Sequence, residues 1–387
     1  MLDRLLKGSP LFYIWLVAIG GLIAIGGVAY IVQLIFGLSV TGLSRDVSWG
    51  LYIAQFNFFG GVAASVAVVL IPAFLHNYKP FHKLVTLAIF MGIAAASMAG
   101  LFILVDLGQP QRMLNVMLHP SPNSMMFWDN VAIFGYMGLF MFVGWVLLEH
   151  ERAGMEPPCW MKPVIILAVA CTLFFQIVEG LILQGLPGRH YWLSAIVTPR
   201  FIASAFSAGP SILLLLCFLL KRLIGFDIGE AATRTMSKII TYAMALNVFF
   251  YLMEVFTAFY SGTPGHMHPI AFLFTGHEGQ IYWINFWMWG AAALALFSLA
   301  LLLLPSTRNN MRLLPWILMM LVGSAWIDKS LGMMIGGMTP NVFETITKYT
   351  PSLAEILICL GVLGIGITTL TIFWKIVLDV KKQAGEY

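Results

Sequence analysis

Ten runs of predominantly apolar residues follow one another along the chain, at roughly 11–38, 49–75, 83–107, 128–149, 161–185, 199–224, 236–261, 281–304, 313–337 and 353–379. Each is long enough for an α-helix to cross the hydrocarbon of a bilayer, which takes ~20 apolar residues. Charges collect between the runs, and Pro/Gly punctuation separates most of them. The pattern predicts an all-α integral membrane protein with about ten transmembrane helices, spans 1 to 10, in a single polytopic domain over residues 1–387. No connecting segment is long or low in complexity enough to suggest a soluble domain. Arg4 and Lys7 precede the first run in the manner of a signal peptide, but the run from Leu11 to Leu38 is too long for an h-region and lacks a clear A-x-A site, so it reads as a retained first helix.

Two connections differ from the others. Residues 108–127, between spans 3 and 4, and 262–280, between spans 7 and 8, are long, apolar-aromatic and rich in Gly, Pro and His. They fall at the same place in successive groups of four spans. This predicts two parallel four-helix bundles, residues 49–185 (spans 2–5) and 199–337 (spans 6–9), with spans 1 and 10 peripheral. No residue-level repeat accompanies it. Gly60, Gly61, Ala63 and Ala64 in span 2, and Gly92, Ala96 and Gly100 at four-residue spacing in span 3, are suited to close helix approach in lipid. Each taken singly is equally well read as apolar filler.

Composition agrees with the pattern. Hydrophobic residues make up 60% of the 387 and charged residues only 10%, against ~25% charged in soluble domains. A soluble protein with one oversized core is excluded by the even spread of the runs. The net charge of +4 sets orientation rather than attracting nucleic acid. With the N-terminus inside, inner segments hold 15 Lys and Arg; outer segments hold 5, namely Arg45, Arg112, Arg189, Arg200 and Lys348. That bias predicts a protein of the cytoplasmic membrane with both termini cytoplasmic. Trp49, Trp128 and Trp283 each open a span at the outer interface.

Metal and haem chemistry find little support. Cys159, Cys171, Cys217 and Cys359 form no C-x-x-C or C-x-x-C-H pattern, so iron–sulfur, zinc and c-type haem sites are not expected. All eight histidines lie at span ends or in connections, which disfavours a bis-histidine haem within the bundle.

Polar residues at membrane depth stand out against that background, because an ionisable side chain at mid-helix costs at least ~2.5–3.5 kcal/mol. Three carboxylates do so: Glu179 in span 5, Glu254 in span 7 and Asp328 in span 9. Thr172, Gln176 and Glu179 share a helical stripe, as do Asn247, Tyr251 and Glu254, and Ser324 and Asp328. A polar stripe leading inward from a buried acid suits a proton half-channel or hydrated cavity. The alternative is a structural ion pair with Lys329 that holds the bundle together.

Residues 106–129 read DLGQPQRMLNVMLHPSPNSMMFWD. Asp106 ends span 3, Arg112 follows within pairing distance along the chain, His119 precedes Pro120, and Trp128 opens span 4. A titratable acid, an imidazole and aromatic surface at headgroup depth suit a quinone, which needs apolar walls, a hydrogen-bond donor at its carbonyl and a proton carrier nearby. A capped, folded loop is the plain alternative.

Residues 49–64, WGLYIAQFNFFGGVAA, together with Asp106 to Arg112, His119-Pro120 and Ser124 to Trp128, resemble the NrfD/polysulfide reductase membrane-subunit family. The resemblance covers roughly residues 49–336 and is greatest to the DsrP and HmeB type of sulfur-metabolising, anaerobically respiring prokaryotes. It implies a subunit with no haem, metal or iron–sulfur cluster of its own. Such a subunit binds menaquinone or menaquinol near one membrane face, beside an extracytoplasmic ferredoxin-like iron–sulfur partner, with a cytochrome and other membrane subunits in the same complex. Carried onto this chain, the headgroup site would use Trp49, Tyr52, Gln55, Asn57, Arg112 and Trp128, with Asp106 and His119 handling protons. Thr172, Gln176, Glu179, Asn247, Tyr251, Glu254, Asp328 and Lys329 would form a proton route. His266, His268, His277 and Glu278 match no motif; a partner-docking surface, a second headgroup-level site and a metal site all remain open for them. Two other readings stand beside this one. A secondary transporter would use the intramembrane charges and parallel halves, although Gly180 and Gly332 are isolated and no matched pair of broken helices is evident. A pure membrane anchor would carry no chemistry.

Overall fold

The computed structural model describes residues 10–385; Arg4 and Lys7 lie outside the described residues. Among the described residues ten helices are long and apolar enough to cross a membrane: Pro10–Val40, Leu51–Leu75, Lys79–Asp106, Met125–Ala153, Met161–Gln184, Val197–Ile224, Glu230–Ser261, Trp283–Leu303, Leu314–Met338 and Leu353–Gln383. They are the ten runs of the sequence. Spans 4 and 7 are longer than hydropathy alone suggests, because a helix keeps its backbone hydrogen bonds after it leaves the hydrocarbon and its surface turns polar. Among the described residues there is no β-strand, only an isolated bridge between His277 and Gln280. The connection read as a loop over 262–280 contains a further helix of 12 residues, Pro264–Thr275. Pro264 suits its first turn, where an amide would be unpaired, and Gly276 at φ 75° ends it.

Spans 2–5 close a ring in which each packs on the next and span 5 returns to span 2; spans 6–9 close a second ring in the same way. Counterpart spans run in the same direction, so the two bundles are parallel units. They meet where span 2 packs on spans 6 and 9 and where span 5 packs on span 6. Span 1 packs on span 10, and span 10 in turn packs on span 3. Span 1 is therefore peripheral, with Val17, Val28 and Ile35 exposed along it, while span 10 is sandwiched. The contact between them is made at glycine: a Cβ on Gly26 or on Gly361 would press into the other's Cα. Lipid tails are as apolar as leucine, so close backbone approach rather than hydrophobic burial holds such a pair together. In span 3, Gly92 sits against the Tyr136 hydroxyl, whereas Gly100 borders open space and has no such role.

Two spans depart from regular helix. Span 2 tightens at Ser65, whose Oγ donates to Val62 O at 2.7 Å, and then widens to a π-turn over Ile71–Leu75. Pro72 lies in that turn, and proline can neither donate to the preceding turn nor fit beneath its carbonyl. Span 9 widens to a π-turn over Ile327–Gly332, which contains Asp328 and Lys329. Span 2 corresponds to span 6 in the repeat and span 9 to span 5, so the irregular spans are not a matched pair.

Candidate functional site

A cavity of about 210 Å³ opens in the first bundle, lined by spans 2 to 5 and by the connection that follows span 3. Ile53, Phe56, Ile103 and Leu183 give it apolar walls, and Asp106, Arg112, Asp129 and Glu179 reach it from three spans and the connection. Asp106 Oδ1, Asp129 Oδ1 and Glu179 Oε1 are all buried without a hydrogen-bond partner. Three orphaned carboxyl oxygens around one cavity are unusual, since a buried polar atom left unpaired costs ~1–3 kcal/mol. They suit a ligand that brings hydroxyl donors into an apolar slot.

Span 2 presents its residues to different neighbours. Trp49 and Asn57 line the cavity. Tyr52 does not: it is fully buried on the other side and donates to Gln33 Oε1 at 2.7 Å, while Gln33 donates to Val105 O. Gln55 faces the second bundle and accepts from Trp326 Nε1 at 3.0 Å. Helical spacing separates these groups, because residues 49, 53, 56 and 60 form one stripe and 52 and 55 lie off it. Arg112 lines the cavity but forms no ion pair with Asp106, contrary to the pairing that their sequence spacing suggested. Trp128 stays outside the cavity; its Nε1 donates to Pro122 O at 2.8 Å and its ring meets Phe174 edge-on. His119 is exposed in the connection and is not among the lining residues. Asp129 and Asn130 line the cavity and were missed in the sequence. Asp129 carried the same signal as Glu179, an acid inside a span, but the adjacent tryptophan at the predicted helix start masked it.

Glu179 leads from the cavity into the protein. Its Oε2 accepts from Gln176 Nε2 at 2.5 Å, and Gln176 Oε1 accepts from Lys329 Nζ at 3.3 Å. Lys329 also lies over the Phe201 ring, 4.6 Å from its centroid. The series crosses from span 5 to span 9 over Gly60 and Gly61, where a Cβ would collide with the Glu179 carboxyl and press on Lys329 Nζ. Thr172 is fully buried two turns further in and donates to Val169 O. Gly60→Ala is therefore expected to destabilise the protein by ~1–3 kcal/mol through overpacking and to displace Glu179. A melting temperature equal to that of the wild type in the same detergent would show that the glycine is not required.

The second bundle holds an ion triad. Arg200, 3% exposed, donates from Nη1 to Glu254 Oε2 at 2.5 Å and from Nη2 to Asp328 Oδ1 and Oδ2 at 2.5 and 2.7 Å. Its guanidinium lies 4.5 Å from the centroid of the Tyr251 ring. The cation that pairs these acids is thus Arg200 and not Lys329. Span 6 begins at Val197, so Arg200 is a buried first-turn residue and leaves the count of loop charges. Within the π-turn, Asp328 reaches Arg200 and its neighbour Lys329 reaches Gln176 of the first bundle. Asn247 is buried, and its Oδ1 has no partner.

The histidines of the 262–280 segment do not converge. His268 Nδ1 lies 2.6 Å from Glu344 Oε2, and His277 Nε2 is 3.8 Å from Glu278 Oε1. Burial and the neighbouring His190 hold the His266 imidazole below its usual range. Among the described residues no group of three or more His, Cys, Asp and Glu side chains is placed to hold a metal ion.

Parallel four-helix rings with an acid-lined cavity at one end define a multi-pass membrane protein built around a buried polar site. Residues 39–327 match the family model of the polysulphide reductase NrfD. The chain belongs to that family. It is 26% identical to a putative dimethyl sulfoxide reductase membrane subunit of Halobacterium salinarum, over 91% of this chain and 88% of that protein. It is 22% identical to a selenate reductase subunit of Mesobacillus selenatarsenatis, over 67% and 68%. It is 25% identical to the Hdr-like menaquinol oxidoreductase integral membrane subunit of Archaeoglobus fulgidus, over 81% and 75%. The three relatives are named as subunits of a reductase or an oxidoreductase.

Proposed function

We propose that this subunit exchanges electrons between menaquinol and an extracytoplasmic iron–sulfur subunit, with the quinone headgroup seated in the first-bundle cavity. The observation that carries the reading is the convergence of the three unpartnered carboxyl oxygens of Asp106, Asp129 and Glu179 on that cavity. The relative named as a menaquinol oxidoreductase subunit supports the ligand class. A cavity of about 210 Å³ lies below the ~300–1,000 Å³ of drug-sized ligand sites, so it suits a ring, with the isoprenoid tail left to the lipid.

Menaquinol, when bound, supplies two electrons and two protons. Asp129 and Asp106 would hold the headgroup through their free carboxyl oxygens, and Phe56 and Trp49 would exclude water. Glu179 would take one of the two protons at Oε1, which is buried without a partner, and the carboxyl of Asp106 or Asp129 would take the other. Gln176 orients the Glu179 carboxyl from the other oxygen, and Lys329 lies one hydrogen bond beyond. In the second bundle Asn247, Tyr251, Glu254 and Asp328 continue a polar route that allows proton translocation. The charge bias of the loops supports an outer location for the cavity and cytoplasmic termini. The connections at that end, including His268 and Glu344, then form the docking surface for the iron–sulfur subunit.

Asp129→Asn in the purified complex is expected to lower quinol-linked electron transfer by at least ~10-fold, since a hydrogen bond to a charged group is worth ~1.5–3 kcal/mol. His119→Ala is expected to stay within about threefold of wild type, since the imidazole stands clear of the cavity. Full quinol oxidation by Asp129→Asn, with partner subunits still co-purifying, would remove the site from this cavity. The transporter reading predicts instead that the chain purifies alone or as a homo-oligomer.

A further inference from the structure

The second bundle contains a larger cavity, about 570 Å³, between spans 7, 8 and 9 beneath the helix Pro264–Thr275. Spans 7, 8 and 9 and the connection that holds this helix are the counterparts of spans 3, 4 and 5 and the connection beside the first cavity. Span 2 also lines the first cavity, whereas its counterpart, span 6, does not line the second. Its walls are aromatic and aliphatic, including Phe259, Phe274 and Trp289, and its polar end is formed by Asn247, Tyr251 and Asp328. Trp289 ties the roof in place: its Nε1 donates to Phe274 O at 2.9 Å and the two rings meet edge-on.

We propose that this cavity is a second binding site, for an isoprenoid quinone or quinol that enters from the lipid. The ligand class rests on the function proposed above; the existence of the site does not. Three observations point to that occupant. Leu252, Phe259, Trp289 and Leu296 line the cavity and are all exposed on the lipid-facing surface, so the mouth opens to the acyl chains and not to a water-filled vestibule. Next, Asn247 is 6% exposed, lines the cavity, and has an Oδ1 with no partner. A buried carboxamide left open offers an acceptor and a donor to a hydroxyl or carbonyl. Finally, the depth selects a neutral head. At ~1.5 Å per residue, Asn247 lies ~21 Å from the Ser261 end of span 7 and Asp328 ~15 Å from the Met338 end of span 9. A phospholipid phosphate would have to leave the interface to reach them, and would meet a triad in which two carboxylates face one guanidinium. A neutral ring bears neither cost and stacks on the aromatic walls.

The test uses the purified complex in nanodiscs and a photoreactive azido-naphthoquinone with a short isoprenoid tail, the labelled peptides being mapped by mass spectrometry. Label is expected on spans 7 and 8, around 247–259 and 288–296, in addition to the first cavity, and is expected to be displaced by unlabelled menaquinone but not by dioleoylglycerol. Ala292→Trp, which fills the second cavity, should lower the span 7–8 label at least tenfold and leave the label of the first bundle. Asn247→Leu keeps the volume and should weaken labelling about tenfold by loss of the carboxamide's hydrogen bonds; it carries the test should the tryptophan variant not accumulate. Label confined to the first bundle, or span 7–8 label displaced by dioleoylglycerol, overturns the proposal while leaving the first site intact. Label on the second bundle alone would support this site and remove the first.

Discussion

Arg200→Met is expected to prevent the protein from accumulating in the membrane, a larger loss of stability than that expected of Gly60→Ala. Arg200 bridges Glu254 and Asp328 with side chains that are 3%, 7% and 19% exposed. Removal of the cation leaves two carboxylates facing each other at low dielectric, and breaking a buried pair this way costs ~3–5 kcal/mol. That is a large part of the ~5–15 kcal/mol that holds a typical domain folded. Arg200→Lys should rescue only in part, because one ammonium cannot fork to two carboxylates as a guanidinium does. Arg200 with Glu254 and Asp328 all changed to Met should restore accumulation, since a buried triad replaced by apolar residues of similar volume is close to neutral. Quantitative immunoblots of membranes and melting in detergent decide the matter. A wild-type level of Arg200→Met would mean that the triad is not what fastens spans 6, 7 and 9 together.

The second large effect is on turnover. Glu179→Gln keeps the shape and the hydrogen bond to Gln176, but the new amide can neither take nor give a proton at cavity depth. Quinol-linked electron transfer should fall by ~10²–10⁴, the contribution of a positioned acid–base group, while the partner subunits still co-purify. A merely structural Glu179 would behave differently: the variant would lose stability and retain its rate per assembled complex. Proton uptake by proteoliposomes during turnover provides the second readout, and it should disappear together with the rate. Rapid turnover in the assembled variant would exclude Glu179 as the proton acceptor.

The candidate site was partly legible before the fold was seen. Asp106, Trp49 and Asn57 reach the cavity as their positions in the sequence suggested. Glu179, read as part of a proton stripe, proves to form the inner wall of the same cavity, where the route would begin. Tyr52 and Gln55 lie within a few residues of Trp49 yet face span 1 and span 9, because a helix turns by ~100° at each residue and adjacency in sequence is not adjacency in space. Arg200 was counted with the loops because it stands at a predicted helix end. Only the true start at Val197 shows it buried. A cation in the first turn of a helix opposes the positive end of the helix dipole, and here two acids from other spans offset that cost.

The sequence by itself determined that the chain crosses the membrane ten times and where the spans lie, and its loops only hinted at two parallel sets of four, which the contacts between spans define. The number and place of the spans follow from length and hydropathy, which the bilayer reads along the chain whatever the helices later touch. Tertiary structure alone decided which polar residues meet. That the acids of spans 3, 4 and 5 share one cavity, that Arg200 rather than Lys329 pairs with Glu254 and Asp328, and that a second cavity opens between spans 7, 8 and 9 all depend on how each helix is rotated about its axis. In lipid that rotation is set by close packing at small residues and by the pairing of buried polar groups, both of them contacts between distant parts of the chain. Span 9 is the sharpest instance: Asp328 and Lys329, neighbours in the π-turn at Ile327–Gly332, reach different bundles.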